Sequence, residues 1–249
     1  MIRLPFLDAG DPTAFPPVER ALRDPDGLLA AGGDLSPQRL LAAYRHGIFP
    51  WFSAGQPILW WSPSLRTVFD TAAMHVPRRL ARWLRGCRWS LRADSAFAEV
   101  MRACAAPRAH QPSTWITADM LAAYQRLHAL GHAHSVEVWD DERLVGGIYG
   151  VAIGRMFFGE SMFSAAPNGS KVALLGLAHA LRSWGFPMLD AQVASDHLFT
   201  LGALELPRAD FCARVARLTC EQDIEGSWRD RFAPIRPCEL AAPGVTPTR

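Results

Sequence analysis

Between residues 133 and 193 the apolar residues change period twice, and this limits the fold more than any other feature of the chain. Ser135-Val136-Glu137-Val138-Trp139 and residues 144–153 have strand character, with a turn at Asp140, Asp141 and Glu142 between them. Residues 155–163 form a third strand after a turn at Gly154. The period then becomes helical: Asn168-Gly169-Ser170 caps a helix over 171–184, Gly185 ends it, and 187–193 returns to strand. A hairpin-rich sheet, followed by a helix that crosses to a further strand, is an α+β architecture with a mixed sheet.

Upstream of this region the chain reads differently. Ser36 as N-cap and Pro37 in the first turn start a short helix through Tyr44, and Gly47 stops it. Residues 48–61 hold Phe49, Trp51, Phe52, Trp60 and Trp61, broken by Pro50, Gly55 and Pro57. Residues 71–93 carry six arginines and no acid. Leu80, Trp83 and Leu84 define an apolar helix face there, with Arg78, Arg82 and Arg85 on another face and Arg79 beside them. Pro77 and Gly86 bound this basic helix. A further helix spans 118–130. The expected division is a small domain over 1–100 that includes the basic helix, a sheet domain over 101–233, and a tail over 234–249 without structure.

Several functional classes lack their motifs. No G-x-x-x-x-G-K-[ST] or G-x-G-x-x-G is present, against nucleotide-triphosphate or dinucleotide chemistry. No G-x-S-x-G occurs, and Cys104 lies among small residues with nothing to activate it. His128, His132 and His134 cluster without a metal-ligand motif, so no metal is expected. The five cysteines are odd in number and include no C-x-x-C, which fits a reducing compartment. Neither a signal peptide nor an apolar run of about 18–20 residues is present, so the expected location is cytoplasmic and off the membrane. The net charge of +2 selects no partner; the local arginine face is the feature suited to tracking phosphates, though a solvated basic face reads the same way.

Two carboxylates stand in apolar strands. In Leu189-Asp190-Ala191-Gln192-Val193, strict alternation puts Asp190 and Gln192 on one face. Glu160 lies beside Gly159 among Phe158, Met162 and Phe163, a setting able to hold a cationic amine next to an apolar side chain. From spacing alone, a solvated strand face, a structural hydrogen bond or an edge-strand glutamate fits equally. Trp51 and Trp115 sit in segments where an indole either packs in the core or stacks on an unpaired base.

The stretches Gly27–Ser36, Tyr44–Phe52, Ile58–Pro63, Thr114–Thr117, Leu130–Trp139, Leu144–Gly147, Gly159–Ser164, Ser170-Lys171 and Asp190–Val193 together resemble the leucyl/phenylalanyl-tRNA–protein transferase family, in order from about residue 15 to 215. The resemblance implies a small N-terminal domain followed by an acetyltransferase-like (GNAT) domain. It implies transfer of Leu or Phe, and less well Met, from aminoacyl-tRNA to the α-amino group of proteins beginning with Arg or Lys, which marks them for degradation. It also implies residue roles. Asp190 would receive the amine proton through Gln192, and Glu160 would orient the donor's amino group. Trp51 and Trp115 would surround the terminal adenosine, while Ile148, Met162 and Leu189 would line the side-chain pocket. Arg78, Arg79, Arg82 and Arg85 match only in basic character. No cofactor is implied, because an aminoacyl ester is already activated and the reaction is largely positioning plus proton removal. On this reading, Asp190→Asn should cost rate more than stability. An acyl-CoA N-acyltransferase and a non-catalytic adaptor are the competing classes. The first wants a Gly-rich loop where Asn168-Gly169-Ser170-Lys171 has one glycine; the second would bind and never turn over.

Overall fold

The computed structural model describes residues 4–8, 10–106, 114–224 and 226–241. The chain runs β1 (Phe6–Leu7), β2 (Leu28–Gly32), α1 (Pro37–Arg45), β3 (Phe49–Pro50), β4 (Leu59–Trp61), β5 (Leu65–Asp70), α2 (Arg78–Gly86), β6 (Ser90–Ala93) and α3 (Phe97–Ala105). It continues with α4 (Ala118–Ala129), β7 (Ala133–Asp140), β8 (Arg143–Ile153), β9 (Met156–Ser164), α5 (Gly169–Ser183), β10 (Met188–Gln192), α6 (Asp196–Phe199), β11 (Leu204–Pro207) and α7 (Arg208–Leu218). The strands form a four-stranded sheet, β1-β2-β4-β3, and a seven-stranded sheet, β11-β5-β10-β9-β8-β7-β6. In the larger sheet β9 and β10 are parallel and the other neighbours antiparallel, so it is mixed, as an α+β reading requires.

Local chemistry explains the helix starts. The Ser36 hydroxyl accepts from the Arg39 N–H, and the Thr117 hydroxyl accepts from the Met120 N–H, each satisfying a donor left over in the first turn. The basic helix α2 buries Leu80, Ala81 and Leu84 and leaves Arg78, Arg79, Arg82 and Arg85 exposed. Alternation along the large sheet divides its side chains between two cores. Val68, Tyr149, Val151, Phe158 and Met188 share one core with α1, α3 and α4; Phe69, Ile148, Phe157 and Leu189 share the other with α2 and α5.

Two expectations about organisation change. The boundary at residue 100 does not separate the sheets: β5 and β6 both lie before it, yet pair into the seven-stranded sheet. The change of sheet falls between β4 and β5 instead. A run such as Leu65–Asp70 carries an arginine and a threonine, and nothing local says that a distant strand buries them. The tail is the second correction. Ile235, Leu240 and Ala241 are buried with Leu80, Ala81 and Leu84 of α2, and 237–241 form a 3-10 turn, because the apolar face of α2 needs a cover. The rest of the expected tail, 242–249, lies outside the described residues.

Candidate functional site

Pairing between β9 and β10 stops at Phe158 and Asp190, and beyond that point the two strands follow different partners. Each is irregular there. Tyr149 pairs with Ser161 and Gly150 with Gly159, so Glu160 is the extra residue of a bulge in β9. In β10 the register slips between Asp190 and Gln192, and Gln192 takes the left-handed φ of 62°. Bulges re-aim side chains, and these two open a cavity of about 160 Å³ between the strands. It is lined by Ile148, Glu160, Met162, Leu174, Leu189 and Leu198, among others. Three of these, Ile148, Met162 and Leu189, are the expected pocket residues.

Glu160 stands at the wall of this cavity in a hydrogen-bonded cage. Tyr44 donates its hydroxyl to Oε1 at 2.7 Å, the Gln192 side-chain amide donates to the same oxygen at 2.7 Å, and Tyr124 donates to Oε2 at 2.8 Å. The two tyrosine hydroxyls also touch each other. Desolvation raises the Glu160 carboxyl to about 7, against the opposing pull of the two tyrosines and Gln192. A group with that proton affinity is suited to trade a proton at neutral pH.

Asp190 is placed otherwise than strict alternation expects. The bulge at 191 breaks the period, so Asp190 and Gln192 do not act as a side-chain pair. Asp190 is fully buried and accepts two hydrogen bonds from Arg66, Nε to Oδ1 at 2.8 Å and Nη2 to Oδ2 at 2.7 Å. Its contact with Gln192 is through the backbone N–H, 2.9 Å from Oδ1. The Gln192 amide goes to Glu160 instead. The side-chain contact that the expected relay from Gln192 to Asp190 would use is therefore not made in this arrangement, since Asp190 meets Gln192 only at its backbone N–H.

Sequence reasoning missed Tyr44, Tyr124 and Arg66. The first two fall within helices whose apolar periodicity already accounts for an aromatic residue. Arg66 is 1% exposed and its partner is far along the chain. Trp51 is 45% exposed, with its ring 5.6 Å from that of Trp61. Trp115 is half-buried against the first core. Neither indole lines the cavity. A wider groove of about 640 Å³ adjoins it across Met162, bordered by Ser164, Ser170 and His197. Two of the three clustered histidines have structural partners: His128 Nδ1 faces the Ala133 carbonyl, while His134 Nδ1 faces Asp94 and its ring stacks on Trp228.

Among the described residues no helix is long and apolar enough to cross a membrane. The family model for the leucyl/phenylalanyl-tRNA protein transferase matches residues 68–216, and the model for that family's N-terminal domain matches 33–64. The gap between the two matches, residues 65–67, lies at the start of β5, just after the chain changes sheet. A leucyl/phenylalanyl-tRNA–protein transferase from Xanthomonas campestris pv. campestris (strain B100) is 59% identical over 98% of both chains. One from Xanthomonas axonopodis pv. citri (strain 306) is 62% identical over 92% of this chain and 93% of its own. A third, from Thiobacillus denitrificans (strain ATCC 25259 / T1), is 58% identical over 90% and 97%. The solved structure of FemX covers 69% of this chain and 66% of its own, at a TM-score of 0.44 and 11% identity, too distant to carry an argument. With two family models in register and relatives this similar along nearly the whole length, the chain belongs to the leucyl/phenylalanyl-tRNA protein transferase family.

Proposed function

We propose that this chain transfers Leu or Phe, and Met less well, from aminoacyl-tRNA to the α-amino group of proteins that begin with Arg or Lys, marking them for degradation in the cytoplasm. One observation carries the reading: an apolar cavity closes on a caged carboxylate, Glu160, whose proton affinity is raised to about 7. In the reaction, the acceptor's neutral amine attacks the ester carbonyl of the donor. The C–N bond forms, the bond to the ribose oxygen breaks, and the amine proton leaves. The ribose oxygen departs as a hydroxyl, so no proton is consumed overall. In this reading Glu160 holds an amine and accepts a proton. Gln192, Tyr44 and Tyr124 fix its oxygens, and Asp190 acts from behind, through the backbone of Gln192. Trp51 and Trp115 flank the terminal adenosine, and no cofactor is needed. The three-stranded meander β7-β8-β9, the crossing helix α5 and the parallel strand β10 support an acetyltransferase-like reading of the large sheet. The test is transfer of labelled Leu from charged tRNA to a protein beginning with Arg, by the purified chain. Binding of charged tRNA without any transfer would favour the adaptor class.

The pocket sets donor preference. Its lining is mainly apolar, with Phe69, Ile148, Met162, Leu174, Leu189 and Leu198 against the polar Glu160, Ser161 and Asp190. A β-branched donor places its extra methyl beside the reacting carbonyl, where Glu160 and Gly159 lie, so Val and Ile should transfer less well than Leu. One methylene is worth about 1–3 kcal/mol, so the preference is graded, roughly 10- to 200-fold in kcat/KM. Competition between Leu-tRNA and Val-tRNA measures it, and equal kcat/KM values would remove the pocket from donor selection.

The basic helix is proposed to meet the tRNA. Arg78, Arg79, Arg82 and Arg85 are exposed, and no ion pair holds any of them among the described residues. Replacing Arg78, Arg82 and Arg85 together by Ala should weaken tRNA binding and lower its salt slope by about one per lost phosphate contact. A small aminoacyl-adenosine donor should react at nearly the original rate. Equal losses with tRNA and with the small donor would make the helix structural only.

A further inference from the structure

Two of the three donors that hold Glu160 trace back to a single buried guanidinium. Arg66 lies on β5, beneath the site, and is clamped from every side. Its Nε and Nη2 grip both oxygens of Asp190. Its Nη1 donates to the Gly47 carbonyl at 3.1 Å. The rings of Phe49 and Phe211 lie 4.5 and 4.6 Å from its central carbon. A planar fork between two aromatic rings has little freedom to turn, and its donors match a carboxylate edge as an ammonium cannot.

Each grip leads to Glu160. Asp190 accepts the backbone N–H of Gln192, which stands in the left-handed region that side-chain-bearing residues seldom occupy. That backbone turn is what aims the Gln192 amide at Glu160. Gly47 closes the end of α1, three residues after Tyr44, whose hydroxyl is the second donor to the same oxygen. We infer that Arg66 is a positioning residue for the transfer reaction, holding in register, through Asp190 and through Gly47, the two donors that orient the Glu160 carboxylate. This rests on the reading that Glu160 handles the reacting amine.

A purely structural ion pair predicts something different. Buried pairs often contribute little net stability, and an apolar pair of similar volume replaces them at small cost. Arg66→Met combined with Asp190→Leu therefore separates the two roles, since it preserves packing and removes the grip. The groups facing Glu160 are Tyr44 from α1, Tyr124 from α4, Tyr149 from β8, and Asp190 and Gln192 from β10. Donors to the ionised carboxylate hold its proton affinity down. Loosening two of them moves the midpoint of the rate's pH dependence upward.

The experiment is single-turnover transfer from a small aminoacyl-adenosine donor, followed across neutral pH, with melting curves as the control for folding. Arg66→Lys and the Arg66→Met/Asp190→Leu protein should each lose about tenfold or more in rate, and in Arg66→Lys, which keeps the Asp190 charge, the midpoint should rise by roughly one pH unit. In a Tyr44→Phe/Gln192→Ala background, adding Arg66→Lys should cost about twofold or less, because the residues it acts through are already gone. If Arg66→Lys does not fold, the Met/Leu protein gives the answer alone. Wild-type rate and midpoint in a folded variant, or the full loss repeated in the Tyr44→Phe/Gln192→Ala background, would overturn the inference. Glu160→Gln serves as the separate check: a wild-type rate there would overturn the underlying reading instead.

Discussion

Asp190→Asn is expected to lower the melting temperature by roughly 6–20 °C, as well as to slow transfer. The carboxylate is fully buried and gives both oxygens to Arg66. Asparagine keeps the shape but supplies a single acceptor oxygen and no charge. Arg66 is then left buried without a counter-charge, a loss that costs about 3–5 kcal/mol when one partner of such a pair is removed. For a chain of this size each kcal/mol shifts the melting temperature by about 2–4 °C. The rate should fall as well, by about tenfold or more, since the amide nitrogen of asparagine cannot accept from Arg66 Nη2, and the loosened grip frees the Gln192 backbone that aims the amide at Glu160. Thermal melting and single-turnover transfer, measured on the same preparation, check both halves. A variant that melts with the wild type and transfers normally would show that the pair holds neither the fold nor the site.

That result would reverse what the sequence suggests for the same substitution, and the reason is physical. Alternation reads a strand as if its pleat were regular, and Asp190 then shares a face with Gln192. The slip at Ala191 and the extra residue at Glu160 are set by the neighbours of β9 and β10, which no local pattern reveals. Arg66 and Asp190 are 124 residues apart in the chain, so neither can be read as half of a pair. Where local signals suffice, the reading transfers well. Ser36 caps a helix, α2 runs between Pro77 and Gly86 with its arginines outward, a helix follows Thr117, and 133–192 fold as hairpins, crossing helix and strand. The pocket residues Ile148, Met162 and Leu189 were legible only through resemblance, since nothing in their spacing brings three different strands to one cavity. Short strands such as β5 and β6 escape notice because their apolar residues are few and their burial comes from across the sheet.

Glu160→Gln is expected to slow transfer by roughly 10²-fold or more, the usual scale for a lost proton acceptor. Glutamine fills the same space and can still take a hydrogen bond from Tyr44 or Tyr124, so the cavity keeps its shape. What disappears is the charge. Burial raises the Glu160 carboxyl from 4.5 to about 7, so the folded protein keeps a proton that the unfolded chain releases. Ionised Glu160 therefore opposes folding, and stability falls as pH rises through that window. The Gln variant should lack this slope and gain on the wild type at alkaline pH. Its catalytic effect runs the opposite way: wild-type transfer should rise through about pH 7 as the carboxylate forms, while the Gln variant stays slow and flat.

The most direct measurement places both proteins side by side in single-turnover transfer of labelled Leu, from saturating Leu-tRNA to a protein beginning with Arg, across that pH range. The wild type should transfer with a midpoint near about 7. The Gln variant, equally folded and equally able to bind tRNA, should trail it by roughly 10²-fold with no midpoint. Equal rates for the two proteins, or a wild type that binds charged tRNA and transfers nothing, would contradict the account.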